Sequence, residues 1–181
     1  MMMLLAGPPQ RFIRCCGSLG WGLPAAIGAK CGMGDRTVVC FTGDGGLYYH
    51  LAELETMARH NIDLVVVVNN NGAYACDGPL RDLSYGDRNH PDIRPTWQFG
   101  SRDFAQIARE LGCNGIVVED PNKIGAAVCD AIASGAPSVV DVRTDAEALC
   151  EWGWLPEGTK IASTEDRRSD TLKKRLLGPL Q

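Results

Sequence analysis

TVVCFTGDGGLYYHLAELETMARHNIDLVVVVNNN occupies residues 37–71 and reads as strand, turn, helix, strand. TVVCFT (37–42) is a short continuous apolar run with β-branched residues, which predicts a strand buried on both faces. From Gly46 to about Arg59, Leu47, Leu51, Leu54 and Ala58 recur at helical spacing. DLVVVVN (63–69) is a second buried strand. Both runs stop at polar residues. The first ends in Gly43-Asp44-Gly45-Gly46 and the second in Asn69-Asn70-Asn71.

The same alternation continues on either side. GLPAAIGAKCG (22–32) predicts a helix of small residues that can approach a sheet closely. RDFAQIARELG (102–112) predicts an amphipathic helix with a glycine stop. GIVVE (115–119) predicts a strand, and PNKIGAAVCDAIAS (121–134) a helix with proline in its first turn. PSVVDVR (137–143) predicts a last strand. Apolar strands alternating with helices imply an α/β fold, a parallel sheet with helices on both faces in three layers. Such sheets take ligands at the carboxyl ends of their strands. Asp44 and Asn69–Asn71 both fall at such ends.

Residues 72–100 carry no periodicity and are rich in Gly, Pro, Asp and Asn. A loop of that length in a compact domain is usually functional or mobile. The reading therefore divides the chain into a domain over 1–155 and a polar tail over 156–181, helical or unstructured. There is no internal repeat.

Bulk properties narrow the classes. At 181 residues the chain has the size of one domain able to bury a core. A net charge of −4 argues against a nucleic-acid surface. No apolar run is long enough to span a bilayer, and MMMLLAGPP lacks the basic flank and apolar length of a signal peptide. The eight cysteines form no CxxC pair and match no zinc or iron–sulfur spacing, so they read as reduced, mostly buried thiols of a cytoplasmic protein. Cys40 falls in an apolar strand and Cys129 in an apolar helix stripe.

Two strand ends offering hard oxygen ligands suit Mg²⁺ or Ca²⁺. Few protein ligands suit Mg²⁺ completed by phosphate oxygens and water. Asp44 offers a carboxylate and Asn71 an amide oxygen. Gly45 and Gly46 open the next helix without side chains, so their N–H groups can face an anion. Either motif alone is more often a turn or a cap. Together, at successive strand ends, they point to a magnesium–diphosphate site. A dinucleotide fingerprint fails because Tyr48 stands where the third glycine belongs, and no GK[ST] follows a strand.

GDG followed at this distance by NN resembles the thiamine diphosphate motif. GSLGWGLPAAIGAK (17–30) and residues 101–145 resemble flanking segments of acetolactate synthase-like enzymes, so the likeness covers roughly residues 8–145. It implies the thiamine diphosphate-binding fold, specifically the C-terminal domain that holds diphosphate and metal. It also implies that Asp44, Asn71 and the carbonyl of Ala73 bind Mg²⁺, and that Gly43, Gly45 and Gly46 line the diphosphate. Leu19 matches a bulky residue wedged under the bent cofactor, with a core leucine as the plain alternative. Ser18 and Tyr74 are expected near the cofactor.

The resemblance implies a 2-oxo acid substrate such as pyruvate, decarboxylated and passed on as an acyl equivalent. It assigns no catalytic side chain here. The family's glutamate, which bonds the cofactor's pyrimidine, lies on a different domain, usually across a dimer interface. Glu53 and Glu55 read as ordinary polar-face residues. A pyrimidine-binding partner and a dimer or higher assembly are therefore expected, with no nucleic acid and no membrane. Family members also carry a strand and helix ahead of the GSLGWG segment. Here only MMMLLAGPPQRFIRCC precedes it, so the expectation is a domain lacking its first strand and helix. That fits a fragment of a longer enzyme, the cofactor subunit of a two-chain decarboxylase of the sulfopyruvate type, or a non-catalytic fragment. His50, His60, His90, Arg81, Asp87 and Trp97 receive no catalytic assignment.

Overall fold

The computed structural model describes residues 10–14, 17–77, 86–87 and 89–148. The expected tail over 156–181 lies outside them. The chain divides into two compact units, one containing Tyr74–Phe99 and the other Met3–Ala73 with Gly100–Ala148.

The larger unit runs α1 (Gly22–Met33), β1 (Val39–Gly43), α2 (Asp44–Tyr48), α3 (Glu53–Arg59), β2 (Val65–Asn70), α4 (Phe104–Glu110), β3 (Asn114–Val118), α5 (Ile124–Ala133) and β4 (Ser138–Arg143). The strands form one parallel sheet in the order β1-β2-β4-β3. β2 and β4 are central and rich in valine, and every residue of Val65–Val68 and Ser138–Val142 is buried. β-branched side chains suit that doubly covered position.

Two clusters hold the layers. On one face Leu23 of α1, Leu47 of α2, Leu54 and Met57 of α3, and Phe104 and Ala108 of α4 pack on Cys40, Val66, Val68 and Val139. On the other, Ala127 and Ala131 of α5 pack on Val65, Val67, Val118, Val140 and Val142. Each buried leucine or phenylalanine contributes about 1.5–3 kcal/mol of transfer free energy. The three-layer α/β architecture expected from the alternation is the one observed.

Local chemistry sets the helix starts. The Asp103 carboxylate caps α4 by accepting from the Gln106 amide at 2.7 Å. Asp120 accepts from the Asn122 amide at 3.0 Å in the 3₁₀ turn Pro121–Lys123, which leads into α5. Lys30, near the end of α1, is buried. It pairs with Asp63 at 2.8 Å and donates to the Arg36 carbonyl at 3.0 Å, tying the chain on either side of β1.

Three expectations change. The single helix from Gly46 to Arg59 is two, α2 and α3, separated by a turn at 49–52. Leu47 and Leu54 still face the same core, so the periodicity survived the break. β1 is covered on one face only. Val39 is 43% and Phe41 52% exposed, because β1 is an edge strand and α5 packs over the other strands. Finally, Cys40 and Cys113 are buried, but Cys31, Cys76 and Cys129 are exposed. The apolar stripe of α5 that meets the sheet carries Ala127 and Ala131, and Cys129 falls outside it.

The smaller unit contains the aperiodic segment. Among its described residues the helical structure is confined to two 3₁₀ turns, Ala75–Asp77 and Arg94–Thr96. The His90 imidazole faces Asp92 at 3.7 Å, with both side chains exposed. No helix among the described residues is long and apolar enough to cross a membrane.

Candidate functional site

Gly43 closes β1 in an extended conformation and Asp44 begins α2. The turn between them carries the Asp44 carboxylate inward, where the residue is only 2% exposed. One oxygen accepts from the Gly45 amide at 2.7 Å and the other from the Gly72 amide at 2.5 Å. Burial pushes the Asp44 carboxyl above its ordinary pKa, and the amides of Gly45, Gly72, Asn71 and Ala73 pull it back down. Among the described residues no ion pair involves Asp44.

β2 pairs with β1 in the register Gly43↔Asn69, so the chain leaves both strands side by side. The three asparagines then diverge. Asn69 accepts from the Thr144 hydroxyl at 2.6 Å, just past β4. Asn70 is buried and donates to Asp141 and to the Arg102 carbonyl, both at 2.7 Å. Asn71 is half-buried, and its side-chain oxygen accepts from the Ala73 amide at 3.0 Å. Of the three, Asn71 turns back on the segment beside Asp44.

Geometry requires glycine at 72 and leaves little room for a side chain at 46. Gly72 has φ +69°, and a Cβ there would lie 2.7 Å from the Ser101 nitrogen. A Cβ on Gly46 would lie 2.8 Å from the Thr42 hydroxyl and 3.6 Å from Leu19 Cδ1. Leu19 is therefore a near neighbour of Gly46. It is 52% exposed, which removes the core-leucine alternative. Ser18 is exposed, and its carbonyl accepts from the Trp21 amide at 3.2 Å within its own turn. Tyr74 belongs to the smaller unit, where its amide donates to the Trp97 carbonyl at 2.8 Å and its ring meets Phe99 edge-on at 5.1 Å. The larger unit thus gathers Asp44, Gly45, Asn71 and Ala73 around one carboxylate, with Gly46 and Leu19 in contact nearby.

Sequence reasoning did not single out Gly72 or Asp141. The signal for Gly72 was a glycine directly after an asparagine, a common left-handed turn. The signal for Asp141 was a lone carboxylate inside the otherwise apolar strand PSVVDVR.

Residues 1–142 match the family model described as thiamine pyrophosphate enzyme, C-terminal TPP binding domain. The chain belongs to the thiamine pyrophosphate enzymes. This thiamine pyrophosphate-binding domain (pyrophosphate and diphosphate name one group) is 32% identical over 151 residues to a probable acetolactate synthase large subunit of Methanococcus aeolicus, covering 83% of the chain and 24% of the relative. It is 33% identical over 142 residues to 2-hydroxyacyl-CoA lyase of Arabidopsis thaliana, covering 77% and 24%. Among solved structures it resembles the thiamine diphosphate-dependent 4-hydroxybenzoylformate decarboxylase of Rhodococcus jostii RHA1, with a TM-score of 0.61 and 33% identity over 70% of this chain and 23% of that one. The chain spans about a quarter of the length of these relatives. Acetolactate synthase-like is therefore the right description of the domain.

The donor set of the thiamine pyrophosphate-binding domain fits a diphosphate with a hard cation. A carboxylate has about four lone-pair positions. The Gly45 and Gly72 amides bond one to each Asp44 oxygen, and the Asn71 and Ala73 amides also face the carboxylate, so a cation there would displace part of this amide shell. Among the described residues no group of three His, Cys, Asp or Glu side chains is placed to hold a metal. A single carboxylate, with the Asn71 side-chain oxygen on the adjoining turn, is instead compatible with Mg²⁺, which takes few protein ligands when phosphate and water complete its shell. A Cβ built on Gly43 meets nothing within 4 Å, which leaves space at the end of β1.

Proposed function

We propose that this chain is the thiamine diphosphate- and Mg²⁺-binding portion of a 2-oxo acid decarboxylase or carboligase of the acetolactate synthase type. Asp44, the Asn71 side-chain oxygen and the Ala73 carbonyl would hold the cation. Gly43, Gly45 and Gly46 would leave room for the diphosphate, and Leu19 would support the rest of the cofactor, with Ser18 and Tyr74 near it. When bound, the cofactor supplies the electron-accepting ring that lets a 2-oxo acid lose carbon dioxide. The chain's own part is to bind and orient.

One observation carries this reading. A nearly buried carboxylate without an ion-pair partner among the described residues sits where Asn71 and Ala73 converge. Buried charges are normally paired or bound to metal. Calorimetric titration of thiamine diphosphate with and without Mg²⁺ tests it. The expected result is binding that needs Mg²⁺ and is lost in Asp44→Ala and Asp44→Asn. Binding indifferent to Mg²⁺ or to Asp44 would overturn it.

Because the chain spans a quarter of its relatives, we place the pyrimidine-contacting glutamate on a further domain or subunit, in a dimer or larger assembly. Pyruvate turnover is expected only when that partner is supplied, whether as the rest of a longer chain or as a second chain. Turnover by these residues alone would refute the assignment. A cytoplasmic setting, which keeps thiols reduced, suits the thiols of Cys31, Cys40, Cys113 and Cys129.

A further inference from the structure

The geometry points to Asp141 as a positioning residue for the Asn71–Ala73 turn, acting through Asn70 and the segment 100–104. Asp141 is 0% exposed in the middle of β4. One of its oxygens accepts from Asn70 Nδ2 at 2.7 Å, and the other accepts from the Phe104 amide at 2.8 Å. Arg143 Nη2 faces that second oxygen at 3.2 Å and balances its charge. The same guanidinium donates to the Arg102 carbonyl at 2.6 Å and to the Ser101 hydroxyl. Ser101 donates in turn to Asn70 Oδ1 at 3.2 Å, and Asn70 Nδ2 donates to the Arg102 carbonyl.

The segment held this way is the one Gly72 rests on. The Gly100 amide donates to the Gly72 carbonyl at 3.0 Å, and a Cβ on Gly72 would touch Gly100 and Ser101. Gly72 then donates to Asp44. A continuous path of hydrogen bonds and contact thus joins a buried carboxylate in β4 to the carboxylate at the end of β1. Fully satisfied buried networks of this kind fix one geometry. Asp141→Asn damages the path with little change of shape. All three groups facing residue 141 are N–H donors, and an asparagine can accept on one side only.

This inference rests on reading Asn71–Ala73 as the cation-holding turn, so its test needs one measurement that requires no ligand. Amide hydrogen exchange in the full chain supplies it. Val139→Ala, one turn of the pleat away in the same strand and core, serves as the stability control. The expected result is exchange at the Gly72 amide at least tenfold faster in Asp141→Asn, and faster in the milder Ser101→Ala. Val139→Ala should leave it near the wild-type rate after correction for global stability. Mg²⁺-dependent thiamine diphosphate affinity should fall about tenfold in Asp141→Asn and hold in Val139→Ala. If the wild-type chain binds no cofactor, the functional reading fails while the exchange rates still decide the positioning role. Equal exchange at Gly72 in Asp141→Asn, Ser101→Ala and Val139→Ala would overturn it.

Discussion

Asp44 is buried in a way that raises its pKa, and this has a sign that can be checked. An acid whose folded pKa lies above its unfolded value favours the fold most below the unfolded value. That contribution is lost as pH rises through the folded value. In the ligand-free chain, ionised Asp44 therefore weakens the fold at neutral pH. A bound cation needs the ionised form and competes with the proton. The rise in Tm produced by Mg²⁺ with thiamine diphosphate should shrink as pH falls from about 7 to about 4, and should be absent in Asp44→Asn at every pH. Thermal melts across that range check both statements. Two neighbours separate folding from binding. Gly72→Ala forces a left-handed backbone on a residue with a Cβ, costing about 1–3 kcal/mol before any clash with Ser101. Leu19→Ala removes an exposed side chain, so the unfolding free energy should move by less than about 0.5 kcal/mol. Cofactor affinity should still fall, and denaturant melts beside calorimetry separate the two effects.

At the scale of elements, the strands and most helices were legible because their patterns are unambiguous. Four consecutive valines in β2 admit no exposed face, and Phe104 and Ala108 of α4 fall one turn apart. The break between α2 and α3 was not legible, since Leu47 and Leu54 reach the same core from either side of it. The exposure of β1 was hidden too. An apolar run reads alike at the centre of a sheet and at its edge, and only strand order tells them apart. Asp44 and Asn71 stood out as paired strand-end oxygens, whereas Asn70 looked equivalent to Asn71 until its bond to Asp141 separated them. Cysteine behaviour follows from where each element packs. Burial pushes the Cys40 and Cys113 thiols up to about 11. At pH near 8 the thiolate is then scarce, and both should resist alkylation in the folded chain while exposed Cys31 and Cys129 react. Mass spectrometry after brief iodoacetamide treatment reads this directly. Rapid labelling of Cys40 would contradict its place under α1.

For the whole molecule, the open side of β1 matters most. Among the described residues β1 is an edge strand with Val39 and Phe41 exposed, and an edge beside apolar surface is the usual condition for association. Sedimentation velocity should show self-association that rises with concentration, and Phe41→Lys should reduce it without lowering Tm. An unchanged profile in Phe41→Lys would place the contact elsewhere.

The pairing of β1 with β2 has a consequence of another kind. Asp44 and Asn71 follow two adjacent strands whose ladder is set by Gly43↔Asn69. Sliding one strand by a single residue would carry the ligands about 3.3 Å apart along the chain direction and turn every side chain of that strand over. Under the proposed assignment of Asp44 and Asn71, a misaligned sheet could therefore not capture the cation. Ligand at a hundred times its Kd favours the state that binds it by about 2.7 kcal/mol. The vitamin-derived group would then act as a proofreader of assembly, rewarding only chains that have matched their first two strands correctly.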